Sequence, residues 1–206
     1  VTLTNSRGAH AASIADHCFA FILSLTRNVP LLLEHKKTRT WDRIAAGEGA
    51  RELSGSTLGI IGLGRIGTEI AKRGVGFDMR IKAIDLNTTA QCPGVEEVWG
   101  VNRLDGFLRV TDYLAISIPI TAQTDGMIGA RELALLKPGS MVIVMSRGGI
   151  VDQDALAAEI GAGRLGGAGL DATRPEPLPA QHPLWALPNV IISPHCSPSS
   201  RQTTER

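Results

Sequence analysis

The run Gly62-Leu63-Gly64-Arg65-Ile66-Gly67 is the first group of residues with chemistry in its spacing. It leaves a short apolar run, Leu58–Ile61, and opens a stretch, 68–76, in which Ile70 and Ala71 lie one turn on from Ile66 and Gly67. In a strand–turn–helix context the three glycines divide the work. Gly62 permits a tight turn, Gly64 lets backbone approach a diphosphate, and Gly67 lets helix and strand pack closely, so that the diphosphate sits on the helix N-terminus. Arg65 and Ile66, inside the loop, are further candidates for contact with that diphosphate. Asp85 ends the next apolar run, about 20 residues further on, where a carboxylate accepts hydrogen bonds from ribose hydroxyls. Its charge repels a 2′-phosphate, and no Arg or Lys stands in Leu86-Asn87-Thr88 to attract one. The cofactor expected is NAD rather than NADP.

The elements that must hold such a loop follow from the apolar pattern. Leu58–Gly62, Ile81–Asp85, Tyr113–Ile118, Met141–Met145, Gly166–Asp171 and Val190–Ile192 are short apolar runs separated by helical or loop stretches. That alternation predicts parallel strands with crossovers: an α/β, doubly wound, Rossmann-type sheet. Its core is expected over 58–195. Ahead of it, over 1–40, stand two linking or interface helices. In the first, Ile14, Cys18, Phe21, Ile22 and Leu25 recur at helical spacing behind a capping box formed by Ser13 and Asp16, with Ala15, Phe19 and Ala20 on the other faces. Apolarity on most sides means burial, in the core or in an interface. The second starts at Pro30, a favourable first position. The last stretch, 196–206, reads as the opening turns of a return helix.

Composition narrows the partners. The 206 residues carry 21 Lys and Arg against 20 Asp and Glu, so there is no field for gathering polyanions, and nucleic acid is not an expected partner. With 43% hydrophobic and 20% charged residues, the chain has the makeup of a water-soluble fold able to bury about 70% of its unfolded surface. Cys18, Cys92 and Cys196 are odd in number and lack a CxxC spacing, against a disulfide framework or a structural zinc site and in favour of a cytoplasmic location. The most apolar run, Phe19–Leu25, is too short to span a bilayer, and no membrane association or signal peptide is expected. Because the sequence opens on Val1 and closes in a helical pattern, it is expected to be an excerpt of a longer protein.

Three segments of the second half carry a resemblance. Lys137-Pro-Gly-Ser-Met-Val-Ile-Val-Met-Ser-Arg147-Gly-Gly-Ile-Val-Asp152, Leu170-Asp171-Ala-Thr-Arg-Pro-Glu176-Pro-Leu178 and Pro188-Asn-Val-Ile-Ile-Ser-Pro-His195 resemble the signature segments of the D-isomer-specific 2-hydroxyacid dehydrogenases. With Arg27-Asn28, Trp41 and the glycine loop, the resemblance runs from about Asn5 to the C-terminus. It implies a catalytic set of Arg147, Glu176 and His195, and an NAD-dependent oxidoreductase acting on a small 2-hydroxy or 2-keto acid, commonly as a homodimer. It places Asp171 near the nicotinamide carboxamide, and it makes Pro119, Thr124 and Ser146 candidates for contacts with the cofactor. No metal is implied.

The residue types fit those roles. Each of the three lies at or just beyond the C-terminal end of an expected parallel strand, the edge where open α/β sheets bind ligands. Reduction of a 2-keto acid needs a fixed cation for the carboxylate, which a guanidinium fork supplies. It also needs a proton for the carbonyl oxygen as hydride arrives, and an imidazole delivers one near neutral pH. A carboxylate on the other ring nitrogen orients the imidazole and favours its charged form. His10, His17, His35 and His182 have no comparable setting and are expected to be structural or exposed.

Departures from the family pattern touch the loops. Val144 stands where Asn is usual, Asp78 where Gly is usual, Thr173 where an aromatic is usual, and Pro198 where Gly is usual. Glu176 argues against the formate-oxidising branch, which pairs its His with Gln. Family members have two lobes, and the substrate lobe is not in this sequence, so the fragment alone is expected to bind NAD weakly and turn over poorly. The rival reading is an NAD-sensing, corepressor-like interaction protein on the same fold; phosphite oxidation is an in-family option.

Overall fold

The structure, a computed structural model, describes residues 8–202. Seven strands, β1 (Thr57–Ile61), β2 (Arg80–Ile84), β3 (Val95–Trp99), β4 (Tyr113–Ile116), β5 (Met141–Val144), β6 (Gly167–Leu170) and β7 (Val190–Ile192), form one parallel sheet in the order β3-β2-β1-β4-β5-β6-β7. The doubly wound sheet expected from the apolar runs is thus present. Its six expected strands stand within a residue or two of their anticipated starts and ends. The seventh, β3, has no continuous apolar run because it is an edge strand: Glu96 and Glu97 are exposed, and only β2 is beside it.

Two helical layers cover the sheet. On one face α1 (Ala11–Thr26) and α4 (Arg65–Gly76) bury Ile14, Cys18, Ile22 and Ile70 against Leu58, Ile60, Ala83 and Ile143. On the other, α5 (Leu104–Val110), α6 (Ala130–Leu135) and α7 (Gln153–Gly161) bury Phe107, Leu133 and Leu156 against Ile61, Ile116 and Val142. Alternate residues of one strand therefore feed two cores, which is why these strands read as unbroken apolar runs. Ile22 and Ile70 are wholly buried, and truncating either to Ala costs about 2–5 kcal/mol.

Two expectations about helix starts need correction. Ser13 and Asp16 are not a capping box: α1 begins at Ala11, after His10, with no side-chain cap. The turn over Gly8–His10 starts the helix with backbone bonds, Ala11 N–H to Gly8 O and Ile14 N–H to His10 O. That leaves Ser13 free to donate to Ser197 O (2.8 Å) and Asp16 to accept from Arg73 (2.7 Å). Helix α4 begins at Arg65 rather than Thr68, so the glycine loop runs straight into helix. The second helix, α2, spans Val29–Thr38 with Pro30 in its first turn. Residues 201–202 are helical, and the rest of the expected return helix lies outside the described residues, as do the first seven residues.

The chain crosses from β1 through α4 to β2 and β3, then returns to the far side of β1 as β4. Adjacent strands whose connections leave in opposite directions open a crevice at their C-terminal ends, here between β1 and β4.

Candidate active site

The crevice holds the glycine loop. Gly62 sits at φ +93°, a backbone region unfavourable to side chains, and its N–H donates to Ile84 O (2.8 Å) while its carbonyl accepts from Ser117 Oγ (2.8 Å). A Cβ on Gly67 would lie 1.9 Å from Gly62 O, so the turn closes only without one. A Cβ on Gly64 would meet nothing within 4 Å; it would project into open space at the start of α4. The side chain of Ile66 packs into the core, which leaves its backbone N–H, with those of Arg65 and Gly67, at the positive end of a 12-residue helix.

Asp85 follows β2 and braces this loop. Its Oδ2 accepts from Leu63 N–H (2.7 Å) and its Oδ1 from Asn87 N–H (2.9 Å). Each oxygen keeps a second lone pair for a hydroxyl. Asp85 lines a cavity of about 460 Å³ with Gly62, Gly64, Ser117, Pro119 and Thr124. Thr124 Oγ1 donates to Pro119 O (2.7 Å) and accepts from Thr121 N–H (2.8 Å), which ties down the loop beyond β4. A cavity of this volume at a helix N-terminus, with a carboxylate beside it and an apolar recess lined by Ile84, Val101 and Ile118, fits part of a dinucleotide.

The second group forms where three loops meet. Arg147 follows β5, with Nη1 donating to Ser146 O (2.9 Å). The next residue, Gly148, lies so close to the loop after β6 that a Cβ would stand 2.0 Å from Thr173 C and O. That contact brings the Arg147 loop against the Glu176 loop. Glu176 accepts from Thr173 N–H on Oε1 (3.1 Å) and pairs through Oε2 with His195 Nδ1 (3.0 Å), which leaves Nε2 for a substrate. Partial burial alone would raise the Glu176 carboxyl, but hydrogen bonds from His195 and Thr173, with the charges of His195 and Arg147, outweigh it and hold the carboxyl below the usual carboxylate range. The pair is partly open, with 36% of the His195 and 42% of the Glu176 side chain exposed. Glu176 and His195 line a second cavity of about 460 Å³ with Thr173, Leu178, Trp185 and Ile192; Arg147 stands outside its wall.

His195 itself has φ +52°, and the loop bearing it is pinned from below. Asp171, 1% exposed, accepts from Cys196 N–H (2.9 Å) and Ser193 Oγ on Oδ1, and from Ser197 N–H (3.0 Å) on Oδ2. The resemblance places Asp171 near the nicotinamide; in the structure its carboxylate lines the cavity of Glu176 and His195 and accepts the hydrogen bonds that organise the loop of the imidazole. His17, expected to be merely structural or exposed, bonds Ser193 Oγ through Nε2 (3.0 Å), and His10 Nδ1 lies 3.0 Å from Pro198 O. Ser146 Oγ is buried without a hydrogen-bond partner among the described residues.

Sequence reasoning missed the braces. Gln153 exchanges hydrogen bonds with the Arg174 backbone (2.8 Å each), and Arg174 reaches Asp125 (2.6 Å), locking the Glu176 loop to α7 and to the loop after β4. No spacing rule relates these residues. Thr173, in place of an aromatic, donates to Pro175 O (3.0 Å) inside the same loop.

The profile of the D-isomer specific 2-hydroxyacid dehydrogenase NAD-binding domain matches residues 19–197. The chain is 35% identical to D-3-phosphoglycerate dehydrogenase of Archaeoglobus fulgidus, over 98% of this chain and 38% of that protein. It is 33% identical to glyoxylate reductase of Korarchaeum cryptofilum, over 100% of this chain and 62% of that protein. D-lactate dehydrogenase of Aquifex aeolicus, crystallised with NAD and lactic acid, superposes with a TM-score of 0.82 at 29% identity, over 94% of this chain and 62% of that one. The chain thus spans 38–62% of the length of these relatives. A glycine loop on β1, a carboxylate after β2 and a matching profile over most of the described residues lead to one statement: the chain belongs to the D-isomer specific 2-hydroxyacid dehydrogenases, as their NAD-binding domain.

Proposed function

We propose that this chain is the cofactor lobe of an enzyme that reduces a small 2-keto acid to the D-2-hydroxy acid with NADH, or runs the reverse oxidation. The observation that carries the reading is the His195–Glu176 pair, 3.0 Å apart, on the same sheet edge as the glycine loop. When bound, NADH supplies the hydride that reaches C2 of the keto acid. His195, held at Nδ1 by Glu176, gives the proton on Nε2 to the carbonyl oxygen, so the C=O becomes CH–OH. Arg147 pairs with the substrate carboxylate and fixes which carbon faces the nicotinamide. Gly62, Gly64, Arg65, Ile66 and Gly67 hold the diphosphate, Asp85 the adenosine ribose, and Pro119, Thr124 and Ser146 line the path toward the nicotinamide, with Asp171 beneath it.

The described residues form one wall of a cleft. A half-exposed imidazole does not exclude water, so the reading requires a second, substrate-binding lobe elsewhere in the protein. We further infer a homodimer. After α2 the chain forms α3 (Arg43–Gly47), and this arm exposes Trp41 (98%), Ile44 (85%) and Leu33 (54%), an apolar surface that a second copy would cover. Three free cysteines favour a reducing, cytoplasmic setting. Among the described residues no helix is long and apolar enough to cross a membrane.

The test follows reduced-nicotinamide absorbance of the full-length protein against glyoxylate, hydroxypyruvate, pyruvate and branched keto acids. The expected result is saturable oxidation of NADH by at least one, with NADPH much poorer. No turnover with any of them, beside intact NAD binding, would overturn it.

A further inference from the structure

Three side chains with metal-ligand chemistry, from three separate elements, converge beneath the loop that carries His195. His17 on α1 offers Nε2, Asp171 at the end of β6 offers its carboxylate, and Cys196 beyond β7 offers Sγ; these atoms all lie within 4.8 Å of one another. His17 Nε2 is 3.9 Å from Asp171 Oδ1, and 3.0 Å from Ser193 Oγ. The side chain of Asp171 is 1% exposed and that of His17 26%, so the cluster is closed behind the carboxylate and open toward the imidazole. Cys196 is half-buried. None of the three lines the cavity of the glycine loop, while Asp171 also lines that of Glu176 and His195, so an ion here would sit against the floor of that cavity.

We propose that His17, Asp171 and Cys196 form a binding site for a thiophilic divalent cation of the zinc type. Imidazole, carboxylate and thiolate are zinc's donor set, whereas magnesium or calcium would not select the sulfur. Tetrahedral bonds of about 2.0–2.3 Å place ligand atoms roughly 3.3–3.7 Å apart. The His17–Asp171 separation of 3.9 Å is close to that spacing, and because all three donor atoms lie within 4.8 Å of one another, at most about an ångström separates any pair from it, within reach of a side-chain rotation. The carboxylate is already oriented by the N–H groups of Cys196 and Ser197, as outer-shell donors orient a ligand. Ser193 Oγ, now a donor to Asp171 Oδ1, yields that lone pair to the ion and turns its oxygen toward it, beside a water.

On binding, the S–H bond breaks, a metal–sulfur bond forms and the proton leaves to solvent. The other thiols do not compete. Cys18 is wholly buried, which pushes its thiol up to about 12, and Cys92 is buried as well.

The site is tested without reference to catalysis, by titrating the tag-free full-length protein with Co²⁺ as a spectroscopic stand-in for zinc. The expected result is one equivalent giving a thiolate-to-cobalt charge-transfer band with the visible bands of a four-coordinate ion, both bleached by Zn²⁺. Cys196→Ser removes the charge-transfer band and weakens Zn²⁺ binding at least tenfold. His17→Gln keeps the sulfur but weakens binding to a similar degree. Absence of the thiolate–cobalt band from the wild-type protein, or a band undiminished in the Cys196→Ser variant, would overturn the site.

Discussion

Two regions at the C-terminal edge of the sheet, the glycine loop and the group of Arg147, Glu176 and His195, are built on different principles. The proposed cofactor end is a single crossover: Gly62, Gly64, Gly67 and Asp85 lie on one β–α–β unit, and main-chain groups do most of the holding, Leu63 N–H on Asp85 and Gly62 N–H on Ile84 O among them. The proposed catalytic end gathers Arg147, Glu176 and His195 from three loops, and side chains do the holding: Glu176 on Thr173 N–H, Asp171 on the loop after β7, Gln153 on the Arg174 backbone. A backbone cradle tolerates change in what surrounds it but not added volume at its glycines. A cluster held by side chains fails when any one brace is cut, while the cradle next to it stands.

Variants can break this contrast, and the largest effect is expected in the cradle. Gly67→Ala puts a methyl 1.9 Å from Gly62 O, and such overpacking costs about 1–3 kcal/mol or more. Calorimetry should find NAD binding lost beyond detection; binding within threefold of wild type would mean the loop adapts and the cradle is not rigid.

At the other end, Arg147→Ala removes the one cation assigned to the substrate carboxylate. Truncating such a charged pair costs about 2–5 kcal/mol, a rise in KM for the keto acid of roughly 30-fold to several-thousand-fold. NAD affinity should not move. Glu176→Gln is expected to do less, because a hydrogen bond to a charged group contributes about 1.5–3 kcal/mol, or roughly 10- to 150-fold in kcat. Steady-state kinetics separate the two variants by KM against kcat.

Stability against pH sharpens the same comparison. The folded-state pKa of Glu176 is depressed, so its contribution is present above the ordinary carboxylate range and is lost as pH falls through the depressed value. Thermal melts from about pH 6 to about pH 3 should show wild type losing more Tm than Glu176→Gln over the acidic part of that range. Parallel melting curves would mean that the carboxylate is not held by its partners. The smallest effect is expected at Ser146, whose buried Oγ lacks a partner among the described residues: Ser146→Ala should shift stability by no more than about 0.5 kcal/mol. A larger loss would reveal a bond that this hydroxyl makes.

The same division explains what the sequence could tell. The glycine loop, Asp85 and six strands were legible because each is a local pattern of backbone need or apolar run. Edge strand β3 was not, since Val95-Glu-Glu-Val-Trp99 has charged residues facing water and one neighbour to pair with. Ser13 and Asp16 matched a capping spacing, yet their side chains serve Ser197 and Arg73, contacts between residues far apart in the chain. Arg147, Glu176 and His195 were singled out only by likeness to a family, and their proposed roles rest on that likeness together with the 3.0 Å contact between the last two. The hydrogen bonds of Asp171, Ser193 and His17 had no signal, because no spacing rule relates a strand-end carboxylate to donors on the loop after β7 or to a histidine on α1.

The central claim is that the proton donor and the cofactor cradle are neighbours built independently. It is tested most directly by His195→Ala in the full-length protein, measuring kcat for the preferred keto acid and NAD affinity on the same preparation. The account predicts kcat lower by roughly 10² to 10⁴ with NAD affinity within about threefold of wild type. An unchanged kcat, or NAD binding lost together with turnover, would contradict it.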